Sequence, residues 1–241
     1  MNNETIGISA EVAIANAFQV PINSDYVKRS NNDIVDLLEQ NIIQIFKCEN
    51  IPSPVKHVAE GQNPVDFILK DKTTLSVKTN KNKLNKVAPQ IIGQPTSKKY
   101  FEYFDDIIDC SPPATYEEKV ELFKRISITY IEIVMKHYWK NLFECDHLLF
   151  FYHIIDKNRY IHNNYKYLYI PKPVHEPIWQ SQKIKFTKSF DSWGESCTVK
   201  YESTDGKYIS LGEFQAHKNR DCLKFRFNMK GLLKLIDSNS I

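Results

Sequence analysis

The spacing of apolar residues changes along this chain, and that change limits the folds open to it. Between 116 and 143, YEEKVELFKRISITYIEIVMKHYWKNLF places its apolar residues as a long helical region does. From 165 to 230 the period falls to two: YKYLYI, KIKFTKSF, CTVKYES, KYISLGEF and CLKFRFNM each read as a strand. The last of these sets Leu223, Phe225 and Phe227 against Lys224, Arg226 and Asn228. HLLFFYHII, between the two regions, is an apolar run of buried-strand length. Nearer the N-terminus, a helix is expected over 5–18, entered through Thr5 or Ser9, ended by Pro21 and carrying Glu11 near its start. A second, over 34–46, repeats Ile34, Leu37, Leu38, Ile42, Ile45 and Phe46 at helical spacing. KKYFEYFDDII begins a further helix that SPP breaks. The expectation is an α/β fold whose C-terminal half is rich in β-structure. No internal repeat or clear linker divides the 241 residues, so one domain is expected over 1–241, with a core over 1–160 and a β-rich half over 161–241.

Several function classes are disfavoured. No stretch approaches the roughly 18 apolar residues of a membrane helix, and MNNETIGISAEVAIANAF lacks the basic start of a signal peptide, so a cytoplasmic protein with no membrane partner is expected. Cys48, Cys110, Cys145, Cys197 and Cys222 are odd in number and never paired as C-x-x-C, which suggests neither disulfides nor a zinc site. None of the seven histidines forms a metal pair of the H-x-x-x-H kind. Nor is there a P-loop or dinucleotide glycine pattern, which disfavours a nucleotide-driven motor or a dehydrogenase.

A formal net charge of +3 identifies no partner, but its distribution is uneven. Six lysines and no acid lie between Lys78 and Lys99, whereas 102–121 holds seven acids. Lys78 itself closes a hairpin, NPVDFILKDKTTLSVKTNKNK. Alternation sends Phe67, Leu69, Leu75 and Val77 to one face and brings Asp66, Ser76 and Lys78 to the other. An acid beside a lysine is either a solvated ion pair or the beginning of a hydrolytic site. Cleaving a phosphodiester requires groups that polarise the phosphoryl, generate hydroxide and hold developing charge. Asp66 can ligate Mg²⁺ through hard oxygen, and Lys78 can stabilise hydroxide and transition-state charge. Ser76 stands where a second carboxylate is expected.

On these residues the chain resembles the PD-(D/E)xK nuclease superfamily, and most of all its type II restriction endonucleases. Pro64-Val65-Asp66 looks like the "PD" element with one residue inserted, and Ser76-Val77-Lys78 like "(D/E)xK" with serine in the acid's place. The resemblance, best over 5–100, implies a mixed central sheet flanked by helices. It makes Asp66 the central ligand of Mg²⁺, Lys78 the catalytic lysine and the Val77 carbonyl part of the metal shell. Glu11 is the third candidate at the catalytic centre and metal, since many such enzymes carry a glutamate on an N-terminal helix; Glu60 is its rival. For DNA, lysines 81, 83 and 86 suit phosphates, and Gln90 and Gln94 can bind base edges. A second group before a strand, Gln215, His217, Lys218 and Arg220, mixes the same capacities. The expected protein is a Mg²⁺-dependent type II site-specific deoxyribonuclease that cuts double-stranded DNA at a short site. The resemblance further implies a homodimer in a prokaryotic cell, with a cognate DNA methyltransferase acting on the same site without stable complex. The alternatives are a structure- or damage-specific repair nuclease of the same superfamily, and a catalytically inactive DNA-binding module with that fold.

Overall fold

The computed structural model describes residues 2–59, 63–108, 113–155, 160–162, 164–217 and 221–239. Two compact units emerge, one from Met1–Leu84 with Phe143–Lys172, the other from Asn85–Leu142 with Pro173–Ile241.

The first unit opens with α1 (Asn3–Ala17), α2 (Ser24–Arg29) and α3 (Asn32–Cys48). Asn2 caps α1 by accepting from the Thr5 N–H at 2.7 Å, so the helix begins before Thr5 and Glu11 falls at its middle rather than near its start. A favourable interaction between Glu11 and the helix dipole is thereby lost, because that field fades within the first turn. Ser9 does not cap either; its hydroxyl donates to Thr5 O and accepts from Asn31 N–H, which ties α1 to the entry of α3. The short α2 buries none of its side chains, so it carried no apolar period by which the sequence could reveal it.

These helices belong with a mixed sheet built from β1 (Pro54–His57), β2 (Phe67–Leu69), β3 (Thr74–Asn80), β5 (His147–Tyr152) and β6 (Lys166–Pro171), in that spatial order. Only β3 and β5 run parallel; every other pair is antiparallel. Phe67, Leu69, Leu75 and Val77 enter one core with Leu149, Phe151 and the inner residues of α1 and α3, as their alternation requires. The β2–β3 turn is made by Lys72 at φ 73°, with Asp71 Oδ1 accepting from the Thr73 N–H and hydroxyl.

The second unit holds β4 (Lys86–Val87), α4 (Ser97–Tyr103), α5 (Tyr116–Thr129), α6 (Ile131–Leu142), β7 (Ile184–Phe186), β8 (Ser196–Glu202), β9 (Tyr208–His217), β10 (Cys222–Asn228) and α7 (Met229–Asn239). Its sheet is wholly antiparallel, in the order β4-β10-β9-β8-β7. Thr115 and Glu118 form a capping box at the start of α5. Aromatic rings fill the core: Tyr138 of α6 stacks on Phe225 at 4.3 Å, and Phe123 of α5 meets Phe214 edge-on. The expected mixed α/β fold with a β-rich C-terminal half is thus observed, seven helices and two sheets being described. Among the described residues no helix is long and apolar enough to cross a membrane.

Gly231 offers a test of the second core. Alanine in a helix is ordinarily better than glycine by about 1 kcal/mol. Here an added Cβ would sit 2.0 Å from the backbone oxygen of Ser210, in β9, and backbone cannot yield as a side chain can. Gly231→Ala is therefore expected to destabilise, by roughly 1–3 kcal/mol, as a lower denaturant midpoint at unchanged slope.

Candidate active site

Asp66 is placed by the backbone on both sides of it. Its N–H donates to Leu75 O and its carbonyl accepts from Val58 N–H, so it is held between the β1 and β3 strands just ahead of β2. The turn leading in is closed by Asn63, whose side chain accepts from Val65 N–H and donates to Val58 O. Because the hairpin folds back on itself, the Asp66 carboxylate reaches β3: Oδ2 accepts from Val77 N–H at 2.6 Å and from the Ser76 hydroxyl at 3.2 Å. Asp66 is 4% exposed and Ser76 1% exposed. The face shared by Asp66, Ser76 and Lys78 is therefore no solvated hairpin surface. Ser76, in the position of a second acid, instead donates to the first.

Glu11 comes to the same place from α1. Its Oε2 lies 2.9 Å from His57 Nε2, with the His57 side chain 3% exposed and that of Glu11 12% exposed. His57 sits at the end of β1 opposite Phe67, one residue from Asp66, and its ring packs edge-on against Tyr26 and Phe67 at 4.8 and 5.1 Å. The charges in this group act on one another. Burial pushes the Asp66 carboxyl above the ordinary carboxylate range, although Lys78, the Val77 N–H and the Ser76 hydroxyl pull it down. Burial likewise raises Glu11; the His57 hydrogen bond opposes this, the charge of Asp66 adds to it and that of Lys78 lowers it. Two carboxylates, a half-buried lysine and a histidine thus lie close enough in the first unit for their charges to interact. Cys145 is close enough to feel Lys78 and Asp66, but burial drives its thiol up to about 11, which leaves it neutral and no nucleophile.

His57 is the site residue that the sequence did not reveal. It lies in a stretch rich in turn formers, and only the antiparallel pairing of β1 with β2 brings it beside Asp66. Glu60 lies outside the described residues, as do Lys218 and Arg220. Lys81 and Lys83 follow β3 directly; the Lys81 carbonyl accepts from the N–H groups of Ile154 and Ile155, which anchors the segment, and Lys83 is exposed. In the second unit Gln90 and Gln94 are exposed, and His217 ends β9. The basic block is free of acids in sequence but not in space. The strand order β4-β10-β9 brings Lys86 Nζ within 2.5 Å of Glu213 Oε2. Gln215 donates to the same carboxylate and accepts from Arg226.

The buried carboxyls have a consequence for stability. A carboxyl whose folded value is raised stabilises the fold while the pH is below its unfolded value and loses that contribution as the pH rises. At neutral pH the raised Asp66 carboxyl therefore works against folding, relative to acid pH. Asp66→Asn, uncharged and still able to accept through its amide oxygen, is expected to melt higher than the wild type at pH 7. The gain should vanish below about pH 4, where an unfolded aspartate is protonated too. Thermal melts across that range measure it, and a difference independent of pH would contradict the buried charge.

No family model matches this sequence, and no solved structure matches it. Over 238 residues, 98% of the chain, it is 31% identical to a type II restriction enzyme, CviAII, of Paramecium bursaria Chlorella virus 1. The chain spans 61% of that enzyme's length. Over nearly its full length, then, this chain is similar to part of a type II restriction enzyme.

Proposed function

We propose that this protein is a Mg²⁺-dependent, sequence-specific endonuclease that hydrolyses phosphodiester bonds of double-stranded DNA. The observation that carries the proposal is geometric: the buried Asp66 carboxylate is bonded to β3 beside the half-buried Lys78, and Glu11 reaches the neighbouring His57 from α1, in a chain similar to part of a restriction enzyme.

The donor set suits the cation. Among the described residues no group of three or more His, Cys, Asp and Glu side chains forms a ready metal cage. Mg²⁺ does not require one, since it usually keeps several waters and takes one or two carboxylates together with substrate phosphates. Asp66 and Glu11 would hold it, with the Val77 carbonyl as a third oxygen. A carboxylate has about four acceptor sites, so the two bonds from Val77 and Ser76 to one oxygen leave the other for a ligand. Bound there, the ion would polarise the phosphoryl group and make hydroxide accessible near neutral pH. Lys78 contributes a fixed positive charge beside the reacting phosphate, stabilising hydroxide and the charge that grows on the phosphoryl oxygens. Ser76 and the Val77 N–H keep Asp66 from turning away. Lys81, Lys83 and Lys86 bind backbone phosphates; Lys86 does so with donors that Glu213 leaves unused, since an ammonium has three. Gln90, Gln94, Gln215 and His217 supply base contacts, joined by Lys218 and Arg220. A palindromic site would call for a homodimer, and a methyltransferase acting on that site would protect the cell's own DNA.

With unmethylated phage DNA and Mg²⁺, the protein is expected to give a discrete fragment pattern. Lys78→Ala should slow cleavage about 10²- to 10³-fold while leaving site-specific binding nearly unchanged. Cutting confined to damaged or branched DNA would favour a repair nuclease, and binding without any cutting an inactive module. Replacing Lys81 or Lys83 should weaken binding to all sequences alike and reduce the slope of log affinity against log salt by about 1. Unchanged slopes for both would make that segment a solvated turn.

A further inference from the structure

The proposed chemistry uses Asp66, Glu11 and Lys78, and gives His57 no part. Its placement calls for one. A histidine side chain 3% exposed, wedged edge-on between Tyr26 and Phe67, has little freedom to turn. Tyr26 is fixed in its own right, its hydroxyl donating to Ala59 O at 2.8 Å. The imidazole is thus a rigid donor aimed at one target, Glu11 Oε2 at 2.9 Å. A carboxylate ionised to ligate a metal can only accept, so in that state Nε2 carries the proton of this bond. Glu11 itself arrives on a helix whose neighbouring residues Ala10, Val12 and Ala13 are buried, so its backbone is as fixed as the ring.

We propose that His57 is the positioning residue of the site: it holds one oxygen of Glu11 and thereby presents the other toward the centre shared with Asp66 and Lys78. The inference rests on the metal-dependent reading above. Without the bond, a glutamate side chain has three torsions with which to leave the centre. With Ser76 in place of an acid, the centre has no further carboxylate on β3 to compensate. A partner that orients a ligating carboxylate commonly affects metal affinity about 10- to 100-fold. His57 should therefore matter as much as a direct ligand does while touching neither metal nor DNA.

The test reads metal binding without cleavage. Mn²⁺ is titrated into DNA-free protein and the free ion is followed by its paramagnetic resonance signal, beside thermal melts of each variant. His57→Leu, which keeps bulk but not the donor, should weaken Mn²⁺ binding about 10- to 100-fold. His57→Gln, whose amide N–H can still reach Glu11, should recover most of the loss. In a Glu11→Gln background, His57→Leu should change affinity hardly at all, because its effect passes through Glu11. Wild-type affinity in His57→Leu would overturn the proposal, as would an equal loss with and without Glu11. Should His57→Leu not fold, a folded His57→Gln that binds as weakly as Glu11→Gln would also overturn it, whereas affinity near wild type would uphold it. Failure of the metal reading is distinct: Asp66→Ala would then bind Mn²⁺ as the wild type does.

Discussion

A carboxylate buried to 4% exposure is the constraint on which the first unit depends. Removing Asp66 from water disfavours its charge, and the surroundings return only part of that cost through Val77 N–H, the Ser76 hydroxyl and the charge of Lys78. Each of these partners lies on β3, so the hairpin must close in one register for the acid to be tolerated at all. A slip of one residue would turn Ser76 and Lys78 into the apolar core and Val77 out of it. The same pairing that buries Phe67, Leu69, Leu75 and Val77 thus assembles the chemistry on the opposite face.

Around this hairpin the topology adds groups that no local pattern could supply. α1 packs against β3 and α3, and this carries Glu11 to within reach of β1. β1 pairs antiparallel with β2 and so delivers His57 next to Asp66. Burial raises both acids, and withdrawal from water strengthens the electrostatic interactions between such groups. Stability is surrendered at these positions, a trade common where function needs strained or desolvated groups and one that the proposed cation site would account for.

Much of this was legible in the sequence. Helical spacing at 34–46 and 116–143 found α3, α5 and α6, and alternation at 165–230 found β6 to β10, because each element buries one face against a core. The hairpin and the juxtaposition of Asp66, Ser76 and Lys78 followed from the period of a strand alone. What escaped has physical causes. The helix α2 buries nothing, and α7 was obscured by following directly on the strand β10. The start of α1 was misplaced because Asn2, not Thr5 or Ser9, makes the cap. His57 and the pairing of Lys86 with Glu213 depend on strand order, which sequence spacing does not encode. Of the three crossings between units, those at 84–85 and 142–143 carry no run of proline, glycine or serine to mark them, whereas the one at 172–173 lies among Pro171, Pro173 and Pro177.

The central claim is that the buried acids of Asp66 and Glu11 form one divalent-cation site, and locating the ion tests it most directly. Crystals soaked in Mn²⁺ and measured at its absorption edge would place the metal by anomalous scattering. The account predicts a peak in direct contact with carboxylate oxygens of both Asp66 and Glu11, at the roughly 2.0–2.6 Å of hard-cation coordination. A peak bound elsewhere in protein that still cuts DNA, with neither acid among its ligands, would contradict it.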